Sequence, residues 1–167
     1  MIAAGQEIGR QARRTPVVEV FEKTREAVVN IAATQIVERK AQYNWFDELF
    51  GWPGQRKIQR YKRTSLGSGF VIHPEGYVVT NAHVISYART QKVIFVDKTE
   101  YEAERVAVDE KHDLAVLKIK DRRTFPAIKL GTSSDLMIGE TVIAIGNPLG
   151  YHHTVTTGII SATDRTL

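Results

Sequence analysis

The chain of 167 residues contains no cysteine. Disulfide bonds, a thiolate nucleophile and a cysteine-ligated zinc site are therefore excluded. Long apolar runs are also absent, because no stretch approaches the ~20 residues that a membrane-spanning helix requires. We expect no transmembrane segment. The first four residues give way at once to Gly5-Gln6-Glu7, so we expect no signal peptide in this sequence.

Glycine-rich phosphate-binding loops of the P-loop or dinucleotide type are missing as well, so we expect no nucleotide cofactor. A metal site has one candidate set, in which His152 and His153 would join His112 and Asp113. Two adjacent histidines cannot easily point both rings at one ion, and no pattern of supporting residues accompanies them. We predict surface histidines and no metal.

The positive charge is concentrated in the N-terminal third. The formal net charge is +4, and residues 1–63 carry 12 Lys and Arg against 7 Asp and Glu, which leaves 11 against 12 for the remainder. A basic cluster could attract phosphate, anionic lipid or acidic peptide. Because Tyr61 is the only aromatic residue there, we predict a solvated loop and no nucleic-acid partner. The cluster comprises Arg56, Lys57, Arg60, Lys62 and Arg63.

Hydrophobic residues make up 43% of the chain, which is long enough for one globular domain. From Pro16 to about Arg39 the pattern predicts a short helix that runs into a strand. Alternate residues of that strand share one side of it, namely Ile31, Ala33, Gln35 and Val37.

After Arg63 the pattern indicates antiparallel β structure. Runs at 67–72 and 77–80 flank His73-Pro74-Glu75-Gly76, where proline and glycine favour a turn. No long amphipathic helix separates the later runs, so an all-β sandwich or barrel is favoured over a parallel βαβ sheet. We expect the last run to lack partners in this chain. The later runs are Val93–Val96, Glu102–Val108, Leu114–Ile119, Thr141–Ile145 and Thr154–Ser161.

The candidate chemistry depends on His83 and Asp113, which lie at the ends of two apolar runs. A serine hydroxyl is a poor nucleophile at neutral pH, so acyl-transfer enzymes place an imidazole beside it and a carboxylate behind the imidazole. The two residues suit these supporting roles. From the residues alone, a surface histidine and a turn aspartate remain open alternatives.

Five motifs together resemble the HtrA/Deg family of trypsin-like serine proteases. They occur in the family's order, and the likeness covers roughly residues 16–167. As a set they are specific, although the glycine-serine-glycine stretch alone would be weak. The motifs are LGSGFVI at 66–72, GYVVTNAHV at 76–84, HDLAVLKI at 112–119, IAIGNP at 143–148 and TGIISA at 157–162.

The resemblance implies an all-β trypsin-like (chymotrypsin) fold, with the first six-stranded antiparallel barrel and the first strand of the second. Residues 1–15 would form an N-terminal extension, and 16–150 would form the first barrel with a long aromatic loop at 39–64. Residues 151–167 would begin the second barrel. The resemblance makes His83 the general base and then general acid, and Asp113 the residue that orients it, with no metal or cofactor.

The resemblance places the nucleophile in a Gly-Asn-Ser-Gly-Gly segment of the second barrel, which is not among these residues. The oxyanion hole would be built there too. Ser133, Ser134 and Ser161 lack the glycine-rich setting, and we nominate none of them. We therefore expect this chain alone to be inactive. A binding or scaffold barrel and an inactive protease homologue remain alternatives.

The resemblance also suggests partners. Family members degrade unfolded or misfolded polypeptides in protein quality control, usually carry PDZ domains and form trimers through N-terminal elements, here residues 17–21. The aromatic loop around Tyr43 to Gly54 would reach a neighbouring subunit or fold back on its own barrel. A bacterial periplasm or cell envelope is the expected compartment, and a eukaryotic organelle is the alternative.

Overall fold

The computed structural model describes residues 9–39, 59–146 and 153–163. None of the helices in these ranges has the length and apolar character that crossing a bilayer would take. After a 3₁₀ turn at Arg10–Arg13, the elements are α1 (Pro16–Thr24), β1 (Val28–Arg39), β2 (Gln59–His73), β3 (Tyr77–Thr80), α2 (Ala82–Ile85), β4 (Thr90–Ile94), β5 (Glu100–Asp109), β6 (Leu114–Ile119), β7 (Thr141–Gly146) and β8 (Thr154–Ile159).

Helix α1 begins where the sequence predicts it. Pro16 stands in its first turn, where the fixed φ of proline suits a helix and its missing N–H costs nothing. No residue of α1 is buried, and Val18 and Val20 are exposed. The helix therefore presents apolar side chains to the outside of this single chain.

The first six strands close into an antiparallel barrel in the order β1-β2-β3-β6-β5-β4, with β4 pairing back onto β1. The predicted six-stranded barrel is confirmed. Closure pairs the strand edges that an open sheet would leave exposed. The register of β5 against β6 shifts by one residue between Arg105 and Ala107.

Alternation of side chains along the strands fills the barrel. Successive residues of a strand point to opposite faces, and the inward set is fully buried: Val29, Ile31, Val71, Val78, Val93, Leu117 and Ile119.

One end of the barrel is covered by an aromatic cluster. Phe125 stacks on Phe95 with ring centroids 5.5 Å apart, and Tyr101 meets both rings edge-on. Gly76 turns the β2–β3 hairpin at φ +88°, and a Cβ there would come within 3.0 Å of the Phe125 ring. The predicted hairpin turn therefore needs glycine for both its backbone conformation and its space.

The structure corrects two expectations. The last strand was expected to lack partners, but β8 pairs with β7 along its whole length, from Thr154↔Gly146 to Ile159↔Thr141. Two strands, not one, therefore follow the barrel, because β7 bonds to β8 instead of to a barrel strand. Strand β2 also begins at Gln59, so residues 59–63 are paired with β1 and do not belong to a loop. The aromatic stretch at 43–54 lies outside the described residues.

Candidate active site

Strands β3 and β6 lie side by side, and their pairing brings two distant parts of the sequence together. Thr80, the last residue of β3, is opposite Ala115 near the start of β6. The buried Thr80 hydroxyl donates to the carbonyl of Ser68 on β2, at 2.8 Å. The residues that follow β3 therefore lie next to the residue that precedes β6.

His83 lies in the one-turn helix α2, and not at a strand end as the sequence predicts. Ala82, Val84 and Ile85 are buried against the barrel, which leaves the His83 side chain 71% exposed. A helix of four residues is too short to show helical periodicity in the sequence, which is why the prediction missed it.

Glycine at position 67 lets α2 pack on β2. A Cβ there would meet the Val84 methyl groups at 2.6 and 2.7 Å, closer than real contacts allow. The glycine-serine-glycine motif of β2 thus provides the space in which the histidine-bearing turn packs.

The His83 and Asp113 side chains meet directly. The ring Nδ1 is 2.7 Å from Asp113 Oδ2, and the backbone N–H of His83 donates to Asp113 Oδ1 at 2.9 Å. Because an ionised carboxylate can only accept hydrogen bonds, the neutral ring must carry its proton on Nδ1 to make this contact. Nε2 is then the nitrogen with a free lone pair.

Asp113 is held in an uncommon backbone conformation. Its φ is +54°, in the left-handed region that aspartate tolerates better than most residues. Its carbonyl accepts from the Ala82 N–H at 3.2 Å. Asn81 Nδ2 donates to the same carbonyl and to Asp113 Oδ2, both at 3.1 Å.

The electrostatics favour an ionised Asp113. The hydrogen bond from the His83 backbone N–H, followed by that from its ring, holds the pKa of the Asp113 carboxyl below its usual value of 3.8. Hydrogen bonds to a carboxylate stabilise its charged form. The side chain stays 45% exposed, so solvent moderates these effects.

A second histidine–aspartate pair, which the sequence analysis missed, lies in the β5–β6 turn. His112 Nδ1 is 2.6 Å from Asp109 Oδ2, and the His112 N–H donates to Asp109 Oδ1 at 3.1 Å. The i, i+3 spacing of the two residues in a turn is the one sequence signal that could have indicated it.

Of the other candidate residues, His153 is described and is not brought to this site. His153 instead contacts the Val28 carbonyl at 3.2 Å and the edge of the Phe21 ring. Within 9–39, 59–146 and 153–163, no group of three or more His, Asp or Glu side chains converges as a set of metal ligands. His152 and the side chains of the basic cluster lie outside the described residues.

Three comparisons with known proteins indicate the family of this chain. The family described as "Trypsin-like peptidase domain" matches residues 67–166. A "Probable periplasmic serine endoprotease DegP-like" of Pseudomonas fluorescens is 37% identical over 100% of this chain and 39% of its own length. A relative of the same name from Halomonas elongata is 42% identical over 89% of this chain and 35% of its own.

Among solved structures, "HtrA-type protease AlgW with tripeptide" is similar with a TM-score of 0.70 at 34% identity, over 91% of this chain and 42% of that one. The chain thus spans less than half the length of each relative described here.

Proposed function

The chain belongs to the HtrA/Deg family of trypsin-like serine proteases, and on that premise we propose that it supplies the base half of a serine endopeptidase active site. The observation that carries the proposal is the contact between His83 Nδ1 and Asp113 Oδ2, at 2.7 Å. In the proposed mechanism a serine from the second barrel is the nucleophile.

His83 is proposed as general base and then general acid. With its proton on Nδ1 directed at Asp113, Nε2 accepts the serine hydroxyl proton as the serine attacks the peptide carbonyl. The imidazolium that forms lies against an ionised carboxylate, which stabilises its charge without taking its proton. Nε2 then donates that proton to the leaving amine, and a water molecule repeats the sequence to release the acyl group.

Asp113 orients the ring and remains ionised throughout. The hydrogen bonds that lower its carboxyl pKa favour this role. The 71% exposure of His83 is suited to an interaction with another barrel, because the ring's free edge is not used within the described part of the chain.

The test is a fusion of residues 1–167 to the part of the Pseudomonas fluorescens relative's protease domain that follows the stretch aligned with this chain. We expect the fusion to hydrolyse casein and to react with a fluorophosphonate probe. His83→Ala should lower kcat by about 10⁶-fold and Asp113→Asn by about 10⁴-fold. The matched control is His112→Ala, which removes the other carboxylate-bonded histidine and should change kcat little.

Equal losses in the two histidine variants, or a folded fusion that neither labels nor hydrolyses, would contradict the proposal. The 167-residue chain alone should show neither reaction, because it contains no Gly-Asn-Ser-Gly-Gly segment. Covalent labelling of a defined serine in that chain would overturn this part.

The substrates proposed are unfolded or misfolded polypeptides, as in protein quality control, and the compartment is the periplasm. The relatives' names support the compartment. The fusion should cleave casein much faster than a stably folded protein of similar size. Equal rates on the two substrates would contradict the substrate class.

A trimer is the proposed assembly of the whole protein. The exposed Val18 and Val20 on α1 support an interface there. Sedimentation equilibrium of the fusion should give a trimer, and replacing both valines with serine should shift it toward monomer. A monomeric parent fusion would contradict this assembly.

A further inference from the structure

Asn81 occupies the N-cap position of α2 without acting as a cap. Asparagine at this position ordinarily bonds through its side chain to free N–H groups of the first turn, but here it makes no such bond. Its Nδ2 donates instead to Asp113, at 3.1 Å to Oδ2 and 3.1 Å to the main-chain carbonyl. The local capping interaction has been replaced by one that reaches the β5–β6 turn.

We propose that Asn81 is a positioning residue, which holds the Asp113 carboxylate where it selects the Nδ1–H tautomer of His83. The catalytic meaning of this role depends on the function proposed above. The role has two parts, because the two acceptors of Asn81 fix different parts of Asp113.

The bond to the carbonyl supports the backbone of Asp113. With φ at +54°, this residue is in a conformation that L-residues adopt at a cost. Asn81 Nδ2 and the Ala82 N–H both donate to its carbonyl. The turn from which the carboxylate projects is thus tied to the start of α2.

The bond to Oδ2 supports the carboxylate itself. Oδ2 accepts from both His83 Nδ1 and Asn81 Nδ2, so the amide approaches the oxygen that the ring uses. A neutral imidazole can carry its proton on either nitrogen. Directing Oδ2 at Nδ1 favours the tautomer in which Nε2 is left free to accept a proton.

Loss of the Asn81 amide has two conceivable effects, and they have opposite signs. A carboxylate that kept its place after losing one donor would be a stronger acceptor for the remaining one, and the Nδ1–H tautomer would become more populated. A carboxylate that moved away from Nδ1 would make that tautomer less populated. The direction of the change therefore separates positioning from simple competition for Oδ2.

The experiment measures the tautomer of His83 in the 167-residue chain by two-bond ¹⁵N–¹H correlation, at a pH where the ring is neutral. In Asn81→Ala we expect the ratio of Nδ1–H to Nε2–H forms to fall by about threefold or more. Asn81→Leu keeps the branched shape without a donor and should show the same fall. Asp113→Asn removes the carboxylate acceptor itself, and its ratio gives the lowest value expected.

Ser86→Ala is the matched control. The Ser86 hydroxyl donates to the Ala82 carbonyl at 2.7 Å, so this variant also removes a side-chain hydrogen bond beside α2, but not one to Asp113. Its tautomer ratio should equal that of the parent chain. A similar fall in this control would overturn the proposal.

A ratio that stays constant or rises in both Asn81 variants would also overturn it. If neither variant gives the dispersed amide spectrum of a folded chain, the contact serves folding and the positioning role is refuted. Because no substrate is used, a falling ratio together with an inactive fusion would support the role of Asn81 and count against the proposed protease function.

Discussion

At the scale of single residues, two aspartates bind their histidines in the same manner. In each pair one carboxylate oxygen accepts the histidine backbone N–H and the other meets the ring Nδ1, for Asp113 with His83 and for Asp109 with His112. Both arrangements lower the carboxyl pKa, that of Asp109 chiefly through its bond with the His112 ring. The pair of Asp109 and His112 therefore lies within the β5–β6 turn, and the same turn provides Asp113 for the pair with His83.

This similarity predicts how the chain responds to acid. A carboxyl whose pKa is lower in the folded chain than in the unfolded chain stabilises the fold at pH values above its ordinary pKa, which is 3.8 here. That stabilisation is lost as the pH falls from there through the folded pKa. Asp109→Asn should therefore weaken the decline of the unfolding free energy in acid.

Urea unfolding followed from about pH 6 to 2.5 would measure this effect. His112→Ala should weaken the acid-dependent decline in the same direction, since it removes the ring that lowers the Asp109 pKa. An acid-dependent decline as steep in Asp109→Asn as in the parent chain would contradict the prediction.

The family resemblance predicted which histidine and aspartate would meet, but not how they are held. Asn81 has no signal in the sequence beyond its place before Ala82 and His83, because its bonds depend on the left-handed conformation of Asp113. Asp113 adopts that conformation in the β5–β6 turn, where hydrophobic periodicity gives no indication of backbone conformation.

At the scale of elements, the strands with one buried face were predictable. Ala115, Leu117 and Ile119 alternate with less buried residues, and β6 has the predicted bounds. The pairing of β7 with β8 was not predictable, since no residue of either strand is buried and the pattern therefore does not indicate which face or partner each strand has. Helix α2 was missed because it is one turn long.

The close packing of α2 on Gly67 of β2 predicts the effect of enlarging that glycine. Gly67→Ala would place a Cβ 2.6 Å from a Val84 methyl group, so the Val84 side chain must shift, and we expect α2 to shift with it. We expect a loss of about 1–3 kcal/mol in unfolding free energy, measured by urea unfolding. Chemical-shift changes in the amide spectrum should concentrate at residues 81–86 and at Asp113.

Two further variants control this prediction. Gly131→Ala adds the same methyl group where nothing lies within 4 Å and should be nearly neutral. Adding Val84→Ala to Gly67→Ala should recover part of the loss, because it removes the methyl groups that collide. If Gly131→Ala costs as much as Gly67→Ala, the steric explanation is wrong.

At the scale of the whole molecule, the structure consists of a closed barrel and a two-stranded sheet. The barrel holds the buried core, whereas β7 and β8 bury none of their residues. Two-stranded sheets are marginally stable without packing partners. The two parts should therefore open with very different free energies.

Native-state hydrogen exchange would measure this difference. Amides of Val29, Val78 and Leu117 should exchange only through global unfolding, whereas those of Val142 and Thr156 should exchange through local opening, faster by orders of magnitude. Equal protection in the two sheets would show that β7 and β8 are stabilised as one cooperative unit with the barrel.

The pairing of β3 with β6 has a consequence for folding errors. A slip of one residue would turn the apolar side chains of one strand outward, but a slip of two would keep them inside. Such a slip would displace Thr80 from Ala115 by about 7 Å, and His83 would lose Asp113. A barrel with its apolar side chains still buried could thus form without the contact between His83 and Asp113. Loss of activity would therefore detect a misaligned strand that a stability measurement would not.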